Sequence, residues 1–240
     1  MTRAPGTHDA VIRLHANTAR SVYRRLLDTY GPQGWWPADS AFEIVVGAVL
    51  TQNAAWTNVE YALTHLREAD ALSPEAILGL PDERLGSLIR PSGYFNVKAR
   101  RLKAVCRFLV DAGGIEALHE RETADLRAAL LGVHGIGRET ADDIVLYAFH
   151  RPVFVIDAYT RRVFERLGLF AGGESYEALR GAFERALGPD VPVYQEYHGL
   201  IVEHCKAVCA VRPGCADCGL RQRCPVGRGT GPDRIVRRSA

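Results

Sequence analysis

The chain has 240 residues, of which 47% are hydrophobic and 24% charged. That suits one or two globular domains with a sizeable core, and no apolar run reaches the ~18 residues that a membrane span needs. The formal net charge of +2 is nearly neutral, so bulk charge does not by itself point to nucleic acid.

The N-terminal "MTRAPGTHDA" lacks an apolar signal core, which predicts a soluble cytoplasmic protein. Strand signals are scarce and helical periodicity recurs along the chain, so the expected class is all-α. Lysines occur only at 98, 103 and 206, and the other cations are arginines, whose planar forks suit phosphate oxygens. Codon bias would produce the same excess.

In chain order, "GWWPADSAFEIVVGAVLTQNAAW" comes first. Ser40 and Glu43 form an S-x-x-E capping box that predicts a helix start. Trp35, Trp36 and Pro37 precede that helix, and Gln52 and Trp56 follow it. The tryptophans suit core anchors. They also suit flat walls for a planar ligand, and indoles bind cationic rings well. Next, "SGYFNVKARRL" sets Lys98, Arg100 and Arg101 near a helix start, either on a solvated face or towards a phosphate backbone. Cys106, inside the apolar pattern of "RLKAVCRFLV", reads as core packing.

"VHGIGRETADD" follows. Helical patterns on both sides, "LRAALLG" and "RETADDIVLYAF", make a helix–hairpin–helix over about 126–147. Glycines at 135 and 137 permit unusual backbone angles and close approach of a ligand. The second helix adds unpaired N–H groups and a positive dipole end, so a DNA phosphate fits near Gly135, Gly137, Arg138 and Thr140. A tight helical connection without a ligand is the plainer reading. Glu139 stands in the first turn, where the dipole favours an acid.

In "RPVFVIDAYTRRVFERLG" an apolar run ends at Asp157 and a helix begins. Asp157 can simply cap that helix. Its carboxylate is also placed to stabilise positive charge on a sugar carbon and to orient a water.

Near the end, "CKAVCAVRPGCADCGLRQRC" crowds five cysteines. Cys209, Cys215, Cys218 and Cys224 give C-x5-C-x2-C-x5-C, with prolines and glycines shaping the turns. A [4Fe–4S] cluster suits this spacing best. Zinc normally uses two paired knuckles separated by a longer loop, and disulfides are disfavoured without an export signal. Cys205, one helical turn before Cys209, reads as a bystander. Arginines 212, 221, 223 and 228 make the loop cationic, and the tail "GRGTGPDRIVRRSA" is short and basic.

Hairpin, aspartate and terminal cysteines, in that order, resemble the endonuclease III branch of the helix-hairpin-helix (HhH-GPD) DNA glycosylase superfamily, from about residue 20 to 226. The resemblance implies a two-lobed, all-helical fold. A six-helix barrel would span 39–150. Residues 1–38 would join 151–240 as the second lobe, which carries the cluster loop 209–224, and DNA would lie across the cleft between the lobes. It implies a monomer acting on double-stranded DNA with a damaged base, in a nucleoid-associated setting. It makes Asp157 the catalytic carboxylate. Gln52 would fill the gap left by the flipped nucleotide.

The bifunctional branch carries a lysine where this chain has Glu139. A carboxylate cannot form a Schiff base, so a monofunctional hydrolase is expected, with Lys98, Lys206 or the terminal amine as the remaining amines. "WWP…F…GAVLTQN" with "GIGRETADDI" is similar to the 3-methyladenine glycosylases. There, aromatics at the positions of Trp36 and Trp56 sandwich the base and Pro37 shapes the wall. The best-known members of that subgroup can lack the cysteine loop that this chain keeps, and iron–sulfur-bearing alkylation glycosylases of similar type also exist. The alternatives are a glycosylase/lyase for oxidised pyrimidines, a uracil or thymine mismatch glycosylase, and a non-catalytic iron–sulfur DNA-binding protein.

Overall fold

The computed structural model describes residues 12–231. The N-terminal segment and most of the basic tail singled out in the sequence lie outside the described residues. Among the described residues the structure is helical throughout, with no strand, and no helix is long and apolar enough to cross a membrane. Contacts divide the chain into two units: Trp36–Arg151, and the flanking 1–35 with 152–240.

The central unit begins at α2 (Ala41–Leu50). Ser40 caps it by accepting the Glu43 N–H at 3.1 Å. The carboxylate of Glu43 does not complete the expected reciprocal box but turns to Arg67 on α3 (Trp56–Glu68), at 2.8 Å. Almost every α2 side chain is buried, as befits a helix that is apolar all round. Two short helices, α4 (Pro74–Gly79) and α5 (Asp82–Leu88), pack against α6 (Phe95–Asp111). Cys106 on α6 is fully buried, as its apolar pattern predicts. After α7 (Gly114–His119), α8 (Thr123–Leu131) leads into the hairpin and α9 (Arg138–Asp143). The chain then widens into a π turn over Ile144–Ala148, every residue of which is buried. A hairpin between Leu131 and Arg138 thus joins two helices.

In the other unit α1 (Ala16–Tyr30) packs on α11 (Tyr176–Leu187) and α12 (Val191–Ala207), and α10 (Ala158–Arg166) packs on α12. The apolar run Val153, Phe154, Val155 and Ile156 is buried as extended chain and feeds directly into α10. Phe154 stacks on Phe183 with centroids 4.0 Å apart and planes 3° from parallel, and Tyr194 and Tyr197 pack edge-on around the pair. Stacked and edge-on rings of this kind hold a core beyond their area alone. They fix the strand-like run whose last residue is followed by Asp157.

Candidate active site

Asp157 is the N-cap of α10. Its Oδ1 accepts the Thr160 N–H at 2.6 Å, and its Oδ2 lies 3.6 Å from Nε2 of His198 on α12. Both side chains are almost sealed, Asp157 at 9% and His198 at 5% exposure. Burial alone would push the carboxyl up. The close approach and charge of His198 and the Thr160 N–H outweigh it and hold Asp157 below its ordinary range. The result is a desolvated, ionised carboxylate on a rigid helix start, an arrangement able to stabilise positive charge built up beside it.

The hairpin is tied from below. Gln52, in the turn after α2, donates to the Gly135 carbonyl at 3.1 Å and to the Thr140 hydroxyl at 2.9 Å, and it accepts from Arg101 of α6. Three residues picked separately from the sequence, Gln52, Gly135 and Thr140, therefore meet in one hydrogen-bonded group. Gly135 has φ +85°, and an added Cβ would sit 2.3 Å from the Arg101 stem. Gly137 does not need the conformational freedom expected of it. It is extended, with φ −88° and ψ 179°, and a Cβ there would meet nothing. Arg138 and Glu139 are exposed in the first turn of α9, while Thr140 points inward to Gln52.

The aromatic group differs from the expected slot. Trp36 and Trp56 meet edge to face, centroids 5.1 Å apart at 88°. Rings that close to each other leave no parallel gap for a base, so the pair forms a corner instead. Tyr147, from the π turn, lies 5.2 Å from Trp36 on another side, and an added Cβ at Gly47 would touch the Trp36 ring at 3.1 Å. Trp36 and Trp56 are half-buried, and Pro37 is exposed beside Trp36.

Lys98 departs most from its reading as a surface cation. It is 1% exposed, and its Nζ donates to the Leu50 and Ser92 carbonyls at 2.8 and 2.6 Å. Burial, with Arg101 nearby, pushes its amine down to about 8. Lys98 thus caps the end of α2 and pins the turn that carries Gln52. Arg101 is turned to Gln52, and Arg100 alone of the three is exposed.

Cys209, Cys215, Cys218 and Cys224 line one pocket with Arg166 and His204. Arg166 donates to the Cys209 sulfur at 3.2 Å, and the Gly227 N–H to the Cys224 sulfur at 3.4 Å. Among the described residues no three candidate ligands converge as tightly as a single ion requires. N–H donors aimed at thiol sulfurs fit a set that carries negative charge. Cys205 is not part of this lining; its thiol donates to the Tyr159 carbonyl at 3.7 Å.

The model of the HhH-GPD superfamily of base excision DNA repair proteins matches residues 46–189. The chain belongs to this superfamily. A Methanocaldococcus jannaschii protein, provisionally named a DNA repair glycosylase, is 47% identical over 206 residues, covering 85% of this chain and 94% of that one. The H. pylori 3-methyladenine DNA glycosylase MagIII, solved bound to 1,N6-ethenoadenine, is 30% identical with a TM-score of 0.66, covering 80% and 95% of the two chains. A non-covalent endonuclease III–DNA complex shares the fold, with a TM-score of 0.77 at 23% identity over 90% and 98% of the chains.

For this HhH-GPD protein, sequence reasoning missed His198, Tyr147, Arg166 and the internal role of Arg101. A polar residue inside the largely apolar "YHGLIVEHC" was the one available signal for His198. Gly135→Ala should cost about 1–3 kcal/mol, because it forces a side chain into a left-handed angle against Arg101. Gly137→Ala should stay within about 0.5 kcal/mol of wild type. Urea unfolding of the two variants checks this, and equal losses would contradict it.

Proposed function

We propose that this glycosylase-family protein is a monofunctional DNA N-glycosylase. It would act as a monomer on alkylated purines of the 3-methyladenine kind in double-stranded DNA, with 39–150 as its barrel lobe. The observation that carries the reading is Asp157, a buried carboxylate kept ionised at a helix start. An N-alkylated purine already bears positive charge and leaves easily, so it needs no strong general acid. What it does need is stabilisation of the oxocarbenium-like sugar, which a fixed, desolvated carboxylate supplies. As the purine departs with the electrons of the N-glycosidic bond, water adds to the anomeric carbon, its proton passes to the Asp157 carboxylate, and the strand stays whole.

The lysines support hydrolysis over lyase chemistry. Lys98 is buried on two carbonyls, Lys103 is held by the Leu80 carbonyl and Asp82, and Lys206 lies over the Trp35 ring. Lys98 and Lys103 are tied by hydrogen bonds, Lys206 is exposed on the other unit's α12, and Glu139 stands in the first turn of α9 where a nucleophilic lysine would be. A Schiff base needs an amine at the reacting carbon, and a carboxylate at position 139 favours water as the nucleophile.

The likeness to a 3-methyladenine glycosylase solved with a modified adenine supports the substrate class. In this reading a cationic purine rests in the corner of Trp36 and Trp56, whose faces attract charge, with Pro37 at its rim. Gln52 enters the gap in the duplex, which requires release from Gly135, Thr140 and Arg101. Backbone N–H groups of the hairpin, at Gly135, Gly137, Arg138 and Thr140, take a phosphate. Cys209, Cys215, Cys218 and Cys224 would hold a [4Fe–4S] cluster. Bound there, it supplies a structural anchor for the arginine-bearing loop rather than a reacting centre.

The test uses duplexes carrying 3-methyladenine, thymine glycol, uracil opposite guanine or an abasic site, each assayed with and without alkali. Release of 3-methyladenine with strand breaks that need alkali is expected, and Asp157→Asn should slow release about 100- to 10,000-fold with duplex affinity kept. Alkali-independent nicking trapped by borohydride would contradict the hydrolase. Trp36→Ala should weaken turnover of the cationic purine more than duplex binding. A silent Trp36→Ala would remove the aromatic corner from the account.

A further inference from the structure

We propose that His198 is the positioning residue of Asp157, holding carboxylate oxygen Oδ2 so that one orientation of the acid faces the sugar. The proposal rests on the reading of Asp157 as the reacting carboxylate. The two oxygens of Asp157 are held differently. One oxygen of Asp157 is taken by the backbone N–H of Thr160, a neighbour three residues along. That bond is a local N-cap contact within α10. The second oxygen meets a side chain 41 residues away, His198, at 3.6 Å. Contacts from two separate helices, α10 and α12, thus bracket the group.

The surroundings favour this pairing. α10 and α12 pack directly on each other, and both side chains are nearly sealed from water. In such a site a carboxylate without a second donor would tend to take up a proton and lose its charge. Two further titratable groups lie beside the pair. Cys205, two turns after His198 on α12, feels the charge of Asp157 and of Arg162, and Tyr176 accepts the Ile156 N–H beside Asp157 through its hydroxyl. Neither Cys205 nor Tyr176 places a cation on Oδ2. A separation of 3.6 Å is loose for a hydrogen bond, and such contacts tighten when charge develops at the reacting carbon.

Two amide variants separate positioning from mere packing. Gln places a nitrogen near the reach of Nε2, whereas Asn is one methylene shorter. His198→Gln should keep single-turnover release of 3-methyladenine within about threefold of wild type, and His198→Asn should lose about tenfold or more. In His198→Asn the acid limb of the pH–rate profile should move to higher pH, because Asp157 gains a proton more readily once its donor is gone. Affinity for a duplex with an abasic site should not change in either variant. Equal rates in the two variants, with the acid limb where wild type has it, would overturn the proposal. Asp157→Asn run in parallel keeps the two ideas apart. If that variant releases bases normally, the reading of Asp157 fails. If it is inactive while both His198 variants match wild type, the positioning role alone fails.

Discussion

Everything the site can do depends on a charge kept where water is largely excluded. Asp157 stays ionised because Thr160 and His198 repay the desolvation that its burial imposes. The rest of that unit serves this arrangement. The stacked and edge-on rings of Phe154, Phe183, Tyr194 and Tyr197 fix the buried run that leads into Asp157. The packing of α10 on α12 brings His198 to the second oxygen. A carboxylate in open solvent would be ionised too, but its field would be screened and its direction unfixed.

The central unit is organised around a second polar arrangement. Lys98 anchors the end of α2, Gln52 extends from the turn beyond it, and Arg101 fills the space beneath Gly135. A hairpin held this way presents its backbone N–H groups in a fixed direction, as a phosphate site requires. The same bonds show that Gln52 is not idle before DNA arrives. Any role inside a duplex has to compete with three existing hydrogen bonds.

Much of this was legible in the sequence where the signal is local. Apolar spacing gave α2, α6 and the helices around the hairpin, and the caps at Ser40 and Asp157 follow from short-range chemistry. Gly135 could be read for the same reason, since a left-handed turn demands glycine. What depends on packing between distant segments was hidden. A lysine beside two arginines looks like a surface cation, and only the fold shows Lys98 turned inward onto two carbonyls. Two tryptophans on either side of a helix suggest parallel walls, yet Gly47 and Tyr147 seat Trp36 edge-on to Trp56. His198 lies 41 positions from its partner and has no motif around it. Gly137 shows the converse, a residue that a motif made conspicuous and whose backbone would accept a side chain.

The most direct test of the charge at Asp157 compares duplexes holding a cationic pyrrolidine or a neutral tetrahydrofuran in place of the damaged nucleoside. Equilibrium binding of wild type should favour the cationic ring by at least about tenfold, and Asp157→Asn should abolish that preference. A preference that survives in Asp157→Asn, or that wild type never shows, would contradict the account.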